Sequence, residues 1–426
     1  MKALLLAAAA AVMASGASAA APKKPAASTS QFRIDKARID KALQQMVADG
    51  RAAGTSALVW KDGREVYFGS AGYADREAKK PMRRDTLVQI FSMTKPVTGV
   101  AIMQLWEQGK FGLDDPLSMY LPDFANTKVF VGKDSAGNPI LQAPRRSILI
   151  RDVLRHTAGF GYGPGDSYPE QAFATADPLN LHNDLTEFGR RLATVPLLYE
   201  PGTKWRYSSA VDVQALLVEK LSGQPYEAYV RQHILDPLGM KDSGWTQPGA
   251  SFARLARGYV KGPDGTLQRK SDTDLRRMNF DPARKLTMGG AGIVSSLDDY
   301  MRFARMLLNK GSLEGVQLLM PSTVKLMSTN HLDARVTERQ WLPDKGNGGF
   351  GFDFAVRTGQ PKTAEENRGA VGEFFWDGAW TTLFWVDPAN NLAAVYFVQS
   401  DPFNRSLHRD IRRAVYGDNY LGPKGD

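Results

Sequence analysis

The sequence predicts an α+β fold, an antiparallel sheet flanked by helices with a mainly helical domain inserted into it. Three observations carry that prediction. β-rich runs occupy 55–75, near the start of the chain, and recur at 348–400, near its end. The segment between them, about 111–280, is richer in helical periodicity and loops. Antiparallel strands from the two ends can share one sheet if the helical middle stands beside it as an insertion. The expected units are an α/β domain of 32–110 and 281–426, and a helical domain of 111–280.

Residues 1–19 begin with Lys2, continue as a short apolar run and close on Ala17-Ser18-Ala19. The run is too short to span a bilayer, and the pattern is that of a secretory signal peptide cut after Ala19. Residues 20–31, rich in Ala, Pro, Lys and Ser, read as a disordered leader. A periplasmic or secreted address is therefore expected. The chain has no cysteine, which removes disulfides and thiol nucleophiles from consideration.

The first helix is expected over 32–49, with Phe32, Ile34, Ile39, Leu43 and Met46 on one face and Gly50 as its stop. Two strands should then fold about Lys61-Asp62-Gly63. A helix follows through Trp106 to a stop at Gly109. Further helices are expected over 147–158, ended by Gly159, over 208–222, ended by Gly223, and over 224–239. The polar stretch 262–272 reads as a loop. Ser296, followed by Asp298 and Asp299, should cap a helix that runs to Gly311. Strands follow at 348–357, 372–388 and 391–400, then a basic helix at 408–416.

The net charge of +9 is spread along the chain and mixed with acids, without the basic and aromatic stripe of a single-strand binder. Nucleic acid is therefore not an expected partner. No later run of 18 apolar residues calls for stable membrane insertion. The five histidines do not fall at metal-ligand spacing, and Gly289-Gly290-Ala291-Gly292 lacks a nucleotide fingerprint around it. No metal or other cofactor is expected. Homo-oligomerisation is left open.

The chemistry starts at Ser92 and Lys95. They stand three residues apart at the head of an apolar helix, so both lie on one side of it. Pro96 fits only near a helix start, which agrees with Ser92 in the first turn. A serine hydroxyl becomes a nucleophile when a base takes its proton. A lysine, ordinarily near 10.4, becomes that base when burial lowers it.

The stretch 91–124 is similar to the nucleophile helix of the serine β-lactamase and penicillin-binding superfamily. Together with 149–163, 196–245, 288–311 and 374–399 it resembles more closely the class C β-lactamase-like carboxylesterases, known as family VIII. The likeness covers nearly all of the chain after residue 19. It implies that Ser92 is acylated and that Lys95 and Tyr207 form the general-base pair. Tyr207-Ser208-Ser209 matches the family's tyrosine motif, with Ser209 where the β-lactamase pattern has asparagine. No Lys-Thr-Gly follows in the late strands. Trp376-Asp377-Gly378 stands instead where the esterase branch has a Trp-Gly-Gly-like motif, departing from it at Asp377.

The resemblance further implies an oxyanion hole from the backbone N–H groups of Ser92 and Ala379. Gly378 is read as letting the ester approach closely. Phe91, Phe160, Tyr162, Ser209, Trp376, Asp377 and Gly378 are the expected substrate contacts, with Phe375 in the same apolar wall. Asp377 either repels anions or faces solvent. Trp380 is read as sheet packing, and His156 as a structural residue capping a loop. Without a carboxylate-binding lysine, the expected substrate is an uncharged small-molecule ester. The other readings are a β-lactamase or D-amino-acid peptidase, an acyltransferase, and a non-catalytic penicillin-recognising protein of the cell envelope.

Overall fold

Asp62 and Gly63 both take positive φ, 51° and 80°. That is the two-residue turn whose twist suits a hairpin, and it joins β1 (Gly54–Lys61) to β2 (Arg64–Asp75). The computed structural model describes residues 33–417 apart from 347 and 362–367. The signal-peptide and leader readings, and Phe32, lie outside the described residues.

β1 pairs on its other edge with a strand from the far end of the chain, Leu392–Val398, from Thr55 opposite Val398 to Lys61 opposite Leu392. In chain order the remaining strands of this sheet are β3 (Lys80–Pro81), β4 (Gly349–Phe350), β5 (Ala355–Val356), β6 (Phe374–Asp377), β7 (Leu383–Asp387) and β8 (Leu392–Val398). Their spatial order is β4-β5-β6-β7-β8-β1-β2-β3, antiparallel throughout. The fold is α+β, with the two ends of the chain sharing one sheet.

Both faces of the sheet are covered, which is why β6, β7 and β8 read as continuous apolar runs. Phe375 lies opposite Trp385, and both rings meet the Arg412 guanidinium at 4.7 Å, on the helix Arg405–Tyr416. The helix Lys36–Ala48 lies beside it, where Arg38 Nε donates to the Ala414 carbonyl at 2.7 Å. On the other face Phe384 packs 5.0 Å from Tyr300, in the helix Leu297–Leu308. Ser296 caps that helix, accepting from the Asp299 N–H.

The helix Thr94–Glu107 is buried on all sides, so it is apolar all round. It packs on the helix Ala210–Ser222, which Gly223 ends with φ 72°.

Some elements differ from the sequence reading. The helix expected over 147–158 shrinks to Ile150–Leu154, because His156 already takes φ 58° ahead of Gly159. The 224–239 helix is Tyr226–Val230 continued by a wider π turn, Arg231–Leu235. The polar stretch 262–272 contributes a strand, Leu267–Arg269, paired with Tyr259–Lys261, which in turn pairs with Ser400–Asp401. Three-residue strands are too short to show alternation. The 348–357 run breaks into β4 and β5 around Asp353, whose φ is 61°. Among the described residues no helix is long and apolar enough to cross a membrane.

Candidate active site

Ser92 lies in a 3₁₀ turn, Phe91–Met93, that leads into the helix Thr94–Glu107. Three segments hold this turn. The Ile90 N–H donates to the Ile293 carbonyl at 3.0 Å. The Tyr300 hydroxyl donates to the Met93 carbonyl at 2.7 Å. Gly378 presses on the third side, where a Cβ would stand 2.4 Å from the Ile90 carbonyl oxygen and 2.3 Å from Thr382 Oγ1. The missing side chain of Gly378 thus lets the chain after β6 pack against the turn that carries Ser92. Phe91 takes φ 46°, a costly conformation for a non-glycine residue, and its ring lies 4.6 Å from that of Trp380.

Lys95 is 1% exposed. Its Nζ lies 2.7 Å from the Gly290 carbonyl, 3.2 Å from Tyr162 Oη and 3.4 Å from Ser92 Oγ. An ammonium has three protons, and these are three acceptors. A neutral amine has two protons and one lone pair, so it can donate to two of these oxygens and accept from a hydroxyl at the third. Burial pulls Lys95 down to about 8, against the opposing charges of Asp212, Asp353 and Asp377.

Tyr207 stands on the approach to the helix Ala210–Ser222, with its ring 4.5 Å from Lys95 Nζ. Its N–H donates to Gln340 Oε1 at 3.1 Å. Burial pushes the phenol far up. The Ser92 hydroxyl and the Trp376 indole N–H oppose that shift, but neither closes a hydrogen bond of good geometry to Tyr207 Oη here. Tyr207 is therefore a neutral phenol at rest. Burial likewise holds Tyr162 well above its ordinary value.

These groups open on a cavity of about 430 Å³. Phe91, Ser92, Tyr162, Tyr207, Trp376, Asp377, Gly378 and Ala379 all line it, so most of the sequence-read residues converge. The Ala379 N–H takes no backbone acceptor among the described residues. Phe160 does not reach the cavity. It is 3% exposed and packs 5.6 Å from Phe124 in the core. Ser209 does not reach it either, because its hydroxyl donates inward to the Gly161 carbonyl at 3.0 Å. Phe375 points to the opposite face of the sheet from Trp376, as strand alternation requires. Trp380 sits in the loop after β6, against Phe91 and Gly258, and not on a sheet face. His156 ties its loop to the tyrosine segment: the Ser208 N–H donates to Nδ1 at 3.2 Å, and burial keeps the imidazole neutral.

Asp377 neither faces solvent nor stands alone. It is 8% exposed and pairs with the ammonium of Lys345, with His408 Nδ1 at 3.9 Å. Lys345, Trp341, Phe403 and Arg405 also line the cavity and escaped the sequence reading. They come from two distant segments. Lys345 lies over the rings of Trp341, Trp376 and Phe403 at 5.1–5.3 Å. Among the described residues no cluster of His, Asp and Glu could hold a metal ion.

The β-lactamase family model matches residues 39–418, and the chain belongs to that family, within its class C β-lactamase-like esterase superfamily. An uncharacterised protein of Mycobacterium tuberculosis is 33% identical, over 89% of this chain and 93% of its own length. Esterase EstB of Burkholderia gladioli is 30% identical, over 89% of this chain and 95% of its own. Among solved structures, EstCE1, described as a hydrolase with promiscuous acyltransferase activity, superposes with a TM-score of 0.74. It is 28% identical and covers 89% of this chain and 98% of its own.

Proposed function

We propose that this protein is an exported serine hydrolase that cleaves carboxylic esters through an acyl-enzyme on Ser92. One observation carries the reading. A lysine lowered to about 8 stands 3.4 Å from the Ser92 hydroxyl at the edge of an aromatic-walled cavity. The neutral Lys95 amine takes the hydroxyl proton as Oγ attacks the ester carbonyl. The carbonyl oxygen becomes an oxyanion facing the N–H groups of Ser92 and Ala379. The C–O bond to the alcohol then breaks, and the leaving oxygen takes a proton from Tyr207, which Lys95 replenishes. Water, deprotonated by the same amine, attacks the acyl carbon; the bond to Oγ breaks, the acid leaves, and the Lys95 ammonium returns the proton to Ser92 Oγ.

The high proton affinity of Tyr207 divides the expected base pair into Lys95 as base and Tyr207 as acid. Phe91, Trp341, Trp376 and Phe403 offer apolar contact to an uncharged acyl chain of short to medium length. The names of EstB and EstCE1 support ester chemistry, and the reading of residues 1–19 supports export. Turnover of p-nitrophenyl esters from acetate to octanoate, set beside nitrocefin, tests the proposal. Ester turnover should exceed nitrocefin turnover by orders of magnitude, and the reverse order overturns it. Acyl transfer to an alcohol is a second reading, favoured by the description of EstCE1 and by the open cavity. An added alcohol acceptor that yields the new ester, rather than free acid, would establish it.

A further inference from the structure

Asp212 lies in the first turn of the helix that follows Tyr207 and is 1% exposed. Its Oδ1 accepts from the Gly290 N–H at 2.9 Å, while the Gly290 carbonyl accepts from Lys95 at 2.7 Å. One residue is thus gripped from both sides, by a carboxylate and by the base. Asp212 Oδ2 is buried and has no hydrogen-bond partner among the described residues. It points into the same small space as the base. A Cβ on Gly290 would stand 2.9 Å from Asp212 Oδ2, 3.0 Å from Lys95 Nζ and 3.2 Å from Tyr162 Oη. That convergence leaves room only for glycine at 290.

We infer that Asp212 is a positioning residue for the reaction: it fixes Gly290, and through Gly290 it fixes the site and proton affinity of Lys95. This rests on the reading of Lys95 as the base. A helix start favours a carboxylate in any protein. That general role would not require an unpartnered oxygen turned toward the base or a glycine held between the two groups. The other carboxyl groups facing Lys95 are Asp353, which burial raises well above the ordinary carboxylate range, and Asp377. Asp353 has one oxygen on Gln214 Nε2 at 3.1 Å and the other unpartnered. The remaining titratable neighbours, Tyr162, Tyr207 and His156, are neutral. Removing the Asp212 charge therefore takes away support for the ammonium and lowers the Lys95 pKa.

The test is Asp212→Asn, read in two ways. The first is the Ser92 acylation burst with p-nitrophenyl butyrate across pH. The plateau rate should fall about 10- to 100-fold, with KM changed less than about threefold, and the acid limb should move at least about half a pH unit lower. Gly290→Ala should cut the plateau by a similar factor. The second reading is a ¹³Cε-lysine NMR titration, with the Lys95 resonance assigned through Lys95→Met. It should show the same downward shift without any turnover. If Asp212→Asn folds and keeps the wild-type plateau, limb and lysine titration, the inference is overturned. If wild type shows no burst but the NMR titration shifts as expected, the Asp212–Lys95 coupling stands and the esterase reading fails.

Discussion

The rate of Ser92 acylation should depend on pH through Lys95, and the structure sets the size of that dependence. Only the unprotonated amine accepts the serine proton. With Lys95 at about 8, roughly 1% of it is neutral at pH 6, about 9% at pH 7 and half at pH 8, by simple titration. The acylation constant should therefore rise about 50-fold between pH 6 and pH 8, and about twofold more above that. Tyr162 and Tyr207 add no limb below pH 10, because burial holds both phenols up. His156 adds none in the ordinary imidazole range, since burial holds it well below its ordinary value. Lys95, Asp212 and Asp353 share one buried cluster, so the limb belongs to the group as a whole. Stopped-flow bursts with p-nitrophenyl butyrate from pH 5.5 to 9.5 measure it. A flat profile across pH 6–8, or a limb that survives in Lys95→Met, would refute the assignment of the base.

Tyr207→Phe should lower acylation about 10²-fold with stability changed by less than about 1 kcal/mol, since its hydroxyl closes no hydrogen bond here; burst kinetics and urea melts check both. Lys345→Met leaves Asp377 buried with only His408 nearby, which burial lowers to about 4 and so keeps neutral; it should destabilise by about 3 kcal/mol, most of which a Lys345→Met/Asp377→Asn double variant recovers. A urea-melt double-mutant cycle reads the pair. Phe160→Ala should cost about 3–5 kcal/mol in a urea melt while leaving the KM of short esters unchanged, because the ring is core and not cavity. Lys95 also bears on stability. Its folded pKa of about 8 lies below the unfolded value near 10.5, so the unfolded chain binds more protons between them. Stability should be reduced below pH 8 and rise as pH climbs from 8 to 10, relative to Lys95→Met, in melts across that range.

Ser92 and Lys95 were legible because one helical turn fixes their geometry from spacing alone. The hairpin was legible because Asp62-Gly63 permits few other turns. Tyr207 lies more than a hundred residues from Ser92, and only the family resemblance pointed to it. Phe160 and Ser209 sit in segments that do approach the site, but which way a loop side chain turns depends on tertiary packing. Phe375 was misassigned because a strand buried on both faces shows no polar alternation to reveal its register. Lys345 and Trp341 come from a short 3₁₀ turn, Leu342–Lys345 with Trp341 just before it, too brief to show periodicity. Their role is set by Asp377 and by Tyr207, whose N–H donates to Gln340 beside Trp341. Gly290 carried a signal, a glycine-rich turn, whose meaning appears only when Lys95 and Asp212 are seen on either side of it.

The most direct measurement is the mass of the protein after reaction with a slowly deacylating ester or phosphonate. One adduct should form per chain, on the peptide bearing Ser92, and Ser92→Ala should carry none. Turnover of esters with the label on another residue, or undiminished turnover by Ser92→Ala, would contradict a mechanism built on this hydroxyl.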